Sequence, residues 1–385
     1  MAKKFEAYGL PWGGKIGKDV TDCKTSEEVI KKAGLDFMVD KCELVAKMPF
    51  NIHGDNSVNE TMGDFAHKGN IYRPCPNAYG TYRVDKNIPL GIVKSKYEVV
   101  QNIDAFNFID NAIGEGKALF QSAGCFGYGH KVFITAKLPI STTVGGDPID
   151  NYLVFSTSHD GSGSIDVLFT PVRVWCLNML NAGLEESTAH IRIRHTKTAQ
   201  DRLDFGAEML RTAIDYAKTS QLLYESLLTI KMTDDQVRDY IARLQLTKAE
   251  YEAVVEYNHE NGIRKVFERD WLAMQKTNIS TRKANILNTM FDYYKNGVAQ
   301  EHIIGNAWGA YNAITGYYSN VKKQEGEKRM DNLIFGGDRI STSKALNLVI
   351  DYKAAWLINI LFYRGASTAY SANCSPVEEM YDNII

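Results

Sequence analysis

The stretch from Asn151 to Lys197 constrains the fold more than any other part of this sequence, because its local patterns predict several elements in order. Tyr152 to Ser158 and Ser164 to Phe169 are two β-prone runs. The five residues between them include Asp160, Gly161 and Gly163, which favour a tight turn, since glycine adopts positive φ and aspartate bonds its own downstream backbone. The stretch therefore predicts a β-hairpin whose second strand is half-buried, with one apolar face made of Ile165, Val167 and Phe169.

A helix is predicted directly after this hairpin. Thr170 supplies an N-cap oxygen and Pro171 a ring already set at helical φ. Gly183 stands where a helix would terminate. One apolar stripe at helical spacing lies between them, formed by Val172, Trp175, Cys176, Met179 and Leu180. Cys176 lies on this stripe, so we expect a buried, unreactive thiol there.

Basic residues alternate with apolar ones from Ala189 to Lys197, which predicts a strand with His190, Arg192 and Arg194 on one face. Like charges on one face repel, so this pattern favours a polyanion nearby. Lys197 and Arg202 extend the charge, and Arg173 lies near the N-terminus of the predicted helix, where free backbone N–H groups favour phosphate. The alternative is that Arg192 and Arg194 pair with carboxylates, for which the candidates are Asp166, Asp201 and Asp204.

A second basic and aromatic group is Lys94, Lys96 and Tyr97, at the end of a strand predicted from Leu90. Aromatic rings beside ammonium groups suit single-stranded nucleic acid, because bases stack while phosphates pair with the cations. The alternative is a solvated strand end with Tyr97 half-buried.

The remaining patterns predict an α+β protein: an N-terminal domain (1–197) of β-hairpins and helices with a mainly antiparallel sheet, followed by an all-α domain (198–385). Two capping boxes, Thr233 with Gln236 and Thr247 with Glu250, mark helix starts in the second half. A polar interruption is expected from 321 to 342. Pro74-Cys75-Pro76-Asn77 predicts a turn between two short strands. Trp308, Tyr311 and Tyr318 share one helical face, which is typical of a core.

Several functional classes lack their signatures in this sequence. There is no phosphate-binding G-x-x-x-x-G-K-[ST], no H-E-x-x-H and no G-x-S-x-G, and Gly124-x-x-Gly127-x-Gly129 lies inside a predicted hairpin. The six cysteines contain no C-x-x-C pair, so we expect no metal, no cofactor and no disulfide scaffold. The net charge of −2 excludes a global basic field. No signal peptide or membrane span is apparent, so we expect a cytoplasmic protein.

Three groups of motifs together resemble a known family. The first is Leu90-Gly91-Ile92-Val93 with Tyr97, Gln101-Asn102 and Phe106. The second runs from Thr170-Pro171 through Arg173, Cys176 and Asn178 to Ile193-Arg194-His195-Thr196, and the third is Trp308-Gly309-Ala310-Tyr311-Asn312-Ala313. In this order they resemble the phage/plasmid-like proteins of domain of unknown function 932, from Trp12 to about Leu361. The family commonly has a Trp-His-Gly entry, whereas here Gly13-Gly14 follow Trp12, so any role of that histidine is absent.

The resemblance implies a phage, prophage or plasmid context and no settled activity. Such elements commonly encode proteins that handle their own DNA. The favoured hypothesis is therefore a protein that binds or anneals single-stranded DNA in replication or recombination. The predicted contact residues are Arg173, Arg192, Arg194, Lys197, Arg202, Lys94, Lys96 and Tyr97. The alternatives are a non-catalytic protein that self-assembles or binds a host factor, and an enzyme whose acidic residues meet only in the fold. A homo-oligomer without membrane contact is expected.

Overall fold

Among the described residues, antiparallel strands predominate in the first half of the protein and helices in the second. The computed structural model describes residues 6, 10–12, 16–49, 57–59, 63–113, 119–180, 190–193, 206–261 and 277–365. The strands are β1 (Gly17–Asp19), β2 (Val39–Pro49), β3 (Phe65–His67), β4 (Asn70–Arg83), β5 (Ile88–Lys94), β6 (Leu119–Phe126), β7 (Lys131–Val144), β8 (Asp147–Ser158), β9 (Ile165–Arg173), β10 (Asn178–Met179) and β11 (His190–Ile193). The helices are α1 (Ser26–Ala33), α2 (Asn102–Ile113), α3 (Gly206–Thr229), α4 (Asp234–Gln245), α5 (Lys248–Glu260), α6 (Thr281–Asn296), α7 (Ala307–Gly316), a π-helix (Tyr317–Val321), α8 (Gly326–Ile334) and α9 (Gly337–Gly365).

The strands form two antiparallel sheets. The larger has the order β1-β6-β7-β8-β9-β10, and β11 also pairs with β9. The smaller has the order β2-β4-β3, with β5 paired to β4. From residue 206 onward the described elements are helices joined by loops, with one isolated β-bridge between Lys231 and Asn306. The protein is therefore of the mixed α+β class, as the sequence predicts.

The β8–β9 hairpin is confirmed. Phe155 pairs with Val167 and Ser156 with Asp166, which places residues 159–164 in the connection. Asp160 Oδ1 accepts a hydrogen bond from the Ser162 N–H at 2.8 Å, and Gly161 has φ 79°. This is the turn chemistry that the sequence predicts.

The large sheet is buried on both faces, not on one. Val167 and Phe169 of β9 do share a face, and their core cluster includes side chains of α1, α2 and the middle of α3. Leu168 and Val172 point to the opposite face, where they join a core with Tyr224, Trp308 and other helical side chains. The prediction of a half-buried strand is wrong, because helices cover both sides of β9.

The predicted helix after Pro171 is wrong as far as residue 180. β9 continues to Arg173, a turn follows, and β10 pairs back on β9 through Asn178 with Arg173 and Met179 with Val172. Leu177 has φ 53° in this turn. The 3.6-residue spacing of the apolar residues was misleading, because a strand, a tight turn and a short strand bury Cys176 and Met179 equally well.

Two other expected interruptions are continuous elements in the structure. The turn predicted at Pro74 to Asn77 is part of β4, where the register with β2 shifts between Glu43 and Val45. The polar segment expected from 321 to 342 contains α8 and the start of α9. Residues 74–77 remain in a strand because β4 pairs with β2. The segment after 321 forms α8 because Met330, Leu333 and Ile334 are buried in the core. Neither contact can be recognised from the polarity of the local sequence.

Both capping boxes are confirmed. The Thr233 side chain accepts from the Gln236 backbone and the Gln236 side chain accepts from the Thr233 backbone, and Thr247 and Glu250 do the same. Trp308 and Tyr311 are wholly buried and Tyr318 nearly so, as expected of a core face.

One core cluster contains side chains from both sides of residue 197. The division into domains 1–197 and 198–385 stays a prediction. Within the described residues, no helix is long and apolar enough to cross a membrane.

Candidate nucleic-acid interface

The segment that follows β5 presents two exposed cations and one anchored tyrosine. Lys94 and Lys96 are exposed, whereas Tyr97 is half-buried. The Tyr97 hydroxyl donates to the Ser158 carbonyl at 3.0 Å. Burial, with a further contribution from Asp160, raises the pKa of Tyr97 far above its usual value, so the ring remains a neutral donor. Tyr97 therefore fixes the segment to the sheet, and the two lysines project from it.

Lys41 of β2 stabilises the same segment from the other side. Its Nζ donates to the carbonyls of Ser95 at 3.2 Å and Tyr97 at 3.0 Å, and it lies 4.8 Å from the centre of the Tyr79 ring. These contacts hold the backbone between Lys94 and Tyr97 in place.

The β8–β9 connection packs directly on β5. A Cβ at Gly91 would lie 2.3 Å from the Asp160 carbonyl oxygen, and one at Gly161 would lie 2.8 Å from the Ile92 carbonyl oxygen. Such a close approach of two backbones requires glycine. Gly91 and Gly161 thus let the hairpin end lie against the strand that leads to Lys94.

Arg192 lies at the same end of the large sheet, on β11 opposite Asp166 of β9. Its Nε is 3.2 Å from Asp166 Oδ1, and the Arg192 side chain is 63% exposed while that of Asp166 is 11% exposed. The sequence offered both outcomes for Arg192, a phosphate ligand or a partner of Asp166. The structure contains the ion pair and also leaves most of the Arg192 side chain exposed to solvent.

A short series of contacts joins the two basic groups. Tyr97 bonds the carbonyl of Ser158, and the Ser158 Oγ accepts from the Gly163 N–H at 2.9 Å. Ser164 Oγ donates to Asp166 Oδ1 at 3.2 Å, and Asp166 pairs with Arg192. Residues 94–97 and 192 are far apart in the sequence, yet both lie against one hairpin end. We call the exposed surface of Lys94, Lys96 and Arg192 around this connection the hairpin-end surface.

Tyr128 belongs beside this surface and was missed by the sequence analysis. It is 59% exposed in the β6–β7 turn, which adjoins the hairpin end because the His159 N–H donates to the His130 carbonyl at 2.8 Å. Gly127 and Gly129 on either side have φ values of 56° and 118°. An aromatic residue between two glycines at a hairpin turn was the available signal, since such a side chain projects outward from the tip.

Arg173 is not on this surface, and its predicted place at a helix N-terminus is wrong. It ends β9, has no exposed surface, and its Nε lies 2.7 Å from Oδ2 of the equally buried Asp147. Its guanidinium also donates to the Ala299 carbonyl and approaches Cys176 Sγ at 3.6 Å. A cation with these internal partners is not available to phosphate in solution.

The other predicted contact residues, Arg194, Lys197 and Arg202, lie outside the residues that the structure describes. Asp160, Ser162, Ser164 and Asp166 alternate like calcium ligands, but Asp160 and Asp166 are committed to the turn and to Arg192. Among the described residues, no group of three or more His, Cys, Asp or Glu side chains is arranged to hold a metal ion.

Comparison with known protein families identifies the family of this chain. A family model with the description "Domain of unknown function (DUF932)" matches residues 89–344, which include Lys94, Lys96, Tyr97, Tyr128 and Arg192. No curated protein and no solved structure is significantly similar to this chain.

Proposed function

Because the chain belongs to the family of domain of unknown function 932, whose description assigns no activity, we propose its function from the geometry. The protein binds single-stranded nucleic acid, with DNA favoured, at the hairpin-end surface. In this proposal Lys94, Lys96 and Arg192 contact phosphates, and the protein serves replication or recombination of a phage or plasmid by holding or annealing strands.

The observation that carries the proposal is the meeting of two separate basic segments at one end of the sheet. Lys94 and Lys96 follow β5, Arg192 lies on β11, and both segments contact residues of the 158–166 region. The chain as a whole has a net charge of −2, so attraction to a polyanion must come from such a local group of cations.

The ion pair with Asp166 does not remove Arg192 from this role. The Arg192 side chain is 63% exposed and that of Asp166 11%, and an ion pair that solvent reaches on one side contributes about 1 kcal/mol. A phosphate approaching from solvent therefore competes with a weak interaction. Arginine presents several N–H donors, so its Nε can stay on Asp166 while the outer nitrogens bind phosphate.

The exposed ring of Tyr128 favours single strands over duplex. Unpaired bases offer their faces for stacking on aromatic side chains, which contributes about 1–3 kcal/mol per base. Bases in a duplex are already stacked on one another and present only their edges. An exposed ring beside phosphate-binding cations is the combination that single-strand binding requires.

The proposal is tested with labelled single- and double-stranded oligonucleotides at low salt. We expect tighter binding of the single strand, and a loss of at least about tenfold in the variant Lys94→Gln/Lys96→Gln/Arg192→Gln. The matched control changes three exposed lysines on helices, Lys218, Lys248 and Lys344, to Gln, with the same change in net charge. Equal binding by the two triple variants would refute the siting, and no binding by the parent would refute the function.

A self-assembling or host-binding protein is the second candidate, and exposed apolar residues on β2 favour it. Val45 and Met48 are both exposed on this strand of the small sheet. They are three residues apart in a regularly paired stretch, so they lie on opposite faces of the strand. Apolar side chains exposed on a sheet favour contact with another protein surface. Sedimentation of the parent and of Val45→Lys/Met48→Lys tests this: a dimer that the variant loses supports it, and a monomeric parent contradicts it.

The proposal also includes a cytoplasmic location, because the nucleic acid of phages and plasmids is handled there. A homo-oligomer remains compatible with it, since strand annealing needs two strands held together.

A further inference from the structure

An exposed tryptophan and a histidine form a second candidate contact at the opposite end of β9. Trp175 lies in the turn after β9 and is 49% exposed. Its ring centre is 5.2 Å from that of His302, and the two planes meet at 70°. Along a strand that rises about 3.3 Å per residue, Asp166 and Arg173 are roughly 23 Å apart, so this pair is remote from the hairpin-end surface.

His302 is anchored by buried charges. Its Nε2 lies 2.9 Å from Asp147 Oδ1, and the other carboxylate oxygen of Asp147 accepts from Arg173 Nε at 2.7 Å. Asp147 and Arg173 have no exposed surface, whereas the His302 side chain is 30% exposed. Nε2 also lies 3.4 Å from Arg173 Nη2, but the Asp147 carboxylate is the closer partner, so in the neutral ring it favours hydrogen on Nε2 and leaves Nδ1 as an acceptor. The pair thus fixes both the orientation and the hydrogen-bonding character of the exposed imidazole.

The loops around this anchor are strained. Leu177 and Ala299 both have φ 53°, a region that side-chain-bearing residues rarely adopt. Each contacts Arg173: the Leu177 N–H donates to the Arg173 carbonyl at 2.8 Å, and the Ala299 carbonyl accepts from the guanidinium. Strained backbone that the surrounding structure holds in place is concentrated at functional sites.

Gln300, between Ala299 and His302, is a second unusual feature of this loop. Its side chain is wholly buried, and the described residues give neither Oε1 nor Nε2 a hydrogen-bond partner. Buried amides are nearly always satisfied, so an unsatisfied one requires a specific explanation. The same short loop therefore contains an unpaired buried amide, a strained alanine and the exposed histidine.

We propose that Trp175 and His302 form a base-binding site for the same single strand, in which the indole stacks on an unpaired nucleobase. Nδ1 of His302 accepts a hydrogen bond from an N–H of that base. A strand held at both ends of β9 spans several nucleotides, in keeping with single-strand sites of about 4–16 nucleotides. This inference rests on the proposed function, because it concerns the same ligand.

Base stacking and phosphate contacts affect the salt dependence of binding differently, and this difference provides a test of the site. A phosphate contact releases counterions, so its loss makes the dependence of log Kd on log salt concentration shallower. Loss of a stacked base leaves that slope unchanged and weakens binding at every salt concentration. Trp175→Ala is therefore expected to raise Kd for a labelled oligo-dT of about 30 nucleotides by about five- to a hundredfold, with the slope of the parent.

Three further variants complete the experiment. Trp175→Phe keeps an aromatic face and is expected to recover most of the affinity, which separates stacking from a folding defect. His302→Ala is expected to weaken binding severalfold, also without a change of slope. Phe65→Ala is the matched control, because Phe65 is 47% exposed on the small sheet, and it is expected to bind within about twofold of the parent.

Three outcomes overturn the inference. If Trp175→Ala binds like the parent while the Lys94, Lys96 and Arg192 variant loses affinity, the base-binding site is wrong and the proposed function stands. If Trp175→Ala and Phe65→Ala lose affinity equally, the effect is not specific to this site and the inference fails. If the parent binds no oligonucleotide, the proposed function fails and this inference fails with it.

Discussion

Asp147 and Arg173 form an ion pair in the interior of the protein, with Nε 2.7 Å from Oδ2 and no exposed surface on either side chain. They lie at the start of β8 and the end of β9, near Ile149, which pairs with Arg173. The carboxylate also lies 3.5 Å from Trp308 Nε1 and 2.9 Å from His302 Nε2. One buried pair thus joins the large sheet to α7 and to the loop before it.

Breaking this pair is expected to destabilise the protein strongly. Asp147→Leu leaves Arg173 as an uncompensated buried cation, and Arg173→Met leaves Asp147 as an uncompensated anion, so each is expected to cost about 3–5 kcal/mol. The double variant removes both charges and is expected to lose much less than the sum. Urea unfolding of the four proteins measures the coupling. Single variants within about 1 kcal/mol of the parent would show that the pair contributes little.

Gly91 is expected to tolerate no side chain, because a Cβ there would lie 2.3 Å from the Asp160 carbonyl oxygen, which is a backbone atom. Gly91→Ala must therefore displace the β8–β9 connection from β5, at a cost of about 1–3 kcal/mol. It should also weaken oligonucleotide binding, because Lys94 ends the strand that contains Gly91 and Arg192 pairs with the strand that follows the connection. Gly337→Ala is the control, since nothing lies within 4 Å of its Cβ. Equal thermal midpoints for the two variants would contradict the packing described for Gly91.

The capping box at Thr247 should add stability that depends on pH. Lys283 donates to Glu250 and, with the Thr247 backbone N–H, holds the pKa of Glu250 below its usual value. A lowered folded pKa means that this contribution is present above the unfolded value of about 4.3 and is lost as the pH falls through the folded value.

Glu250→Gln keeps a hydrogen-bond acceptor at position N3 but loses the charge. It should therefore lower the free energy of unfolding by roughly 0.2–1 kcal/mol at neutral pH and leave it unchanged in strong acid. Denaturant unfolding at several pH values measures the difference. Gln236→Ala, in the other capping box, is the control. It should lower the free energy of unfolding by an amount that does not depend on the protonation of Glu250. A Glu250→Gln difference that persists at low pH would rule out the ion pair as its source.

The cysteines should react in the order of their exposure. Cys42 is exposed, whereas Cys176 is buried and its pKa is raised chiefly by that burial. Because the thiolate is the nucleophile, alkylation at mildly alkaline pH should modify Cys42 first and Cys176 only after unfolding. Peptide mass spectrometry after timed labelling identifies the sites. Modification of Cys176 at the rate of Cys42 in the folded protein would contradict its burial within the turn after β9.

Local patterns predicted the elements that local chemistry determines. Asp160 and Gly161 specify the β8–β9 turn, and Thr233 and Thr247 specify helix starts, because each satisfies backbone groups within a few residues. The helix predicted after Pro171 failed for the opposite reason. Whether residues 172–180 form a helix or two strands depends on Asp147 and on the neighbouring strand β8. Both lie outside the short stretch of sequence from which the helix was predicted.

The candidate sites also depend on contacts between residues that are distant in the sequence. Lys94, Lys96 and Arg192 were identified as cations with aromatic or apolar neighbours, but only the fold brings the two segments to one hairpin. Asp147 and His302 are 155 residues apart, and neither belongs to a recognisable motif, so their contact could not be predicted. Trp175 was assigned to an apolar stripe, and its exposure follows from the turn that replaces the predicted helix.

The salt dependence of single-strand binding tests the central claim most directly. Each phosphate contact to a single strand contributes about −0.7 to the slope of log affinity against log salt concentration. Three cations at the hairpin-end surface therefore predict a slope of about −2 between about 50 and 200 mM salt, and a slope near zero for Lys94→Gln/Lys96→Gln/Arg192→Gln. The same slope in the parent and in this variant, or no binding by the parent at the lower salt concentration, would contradict the account.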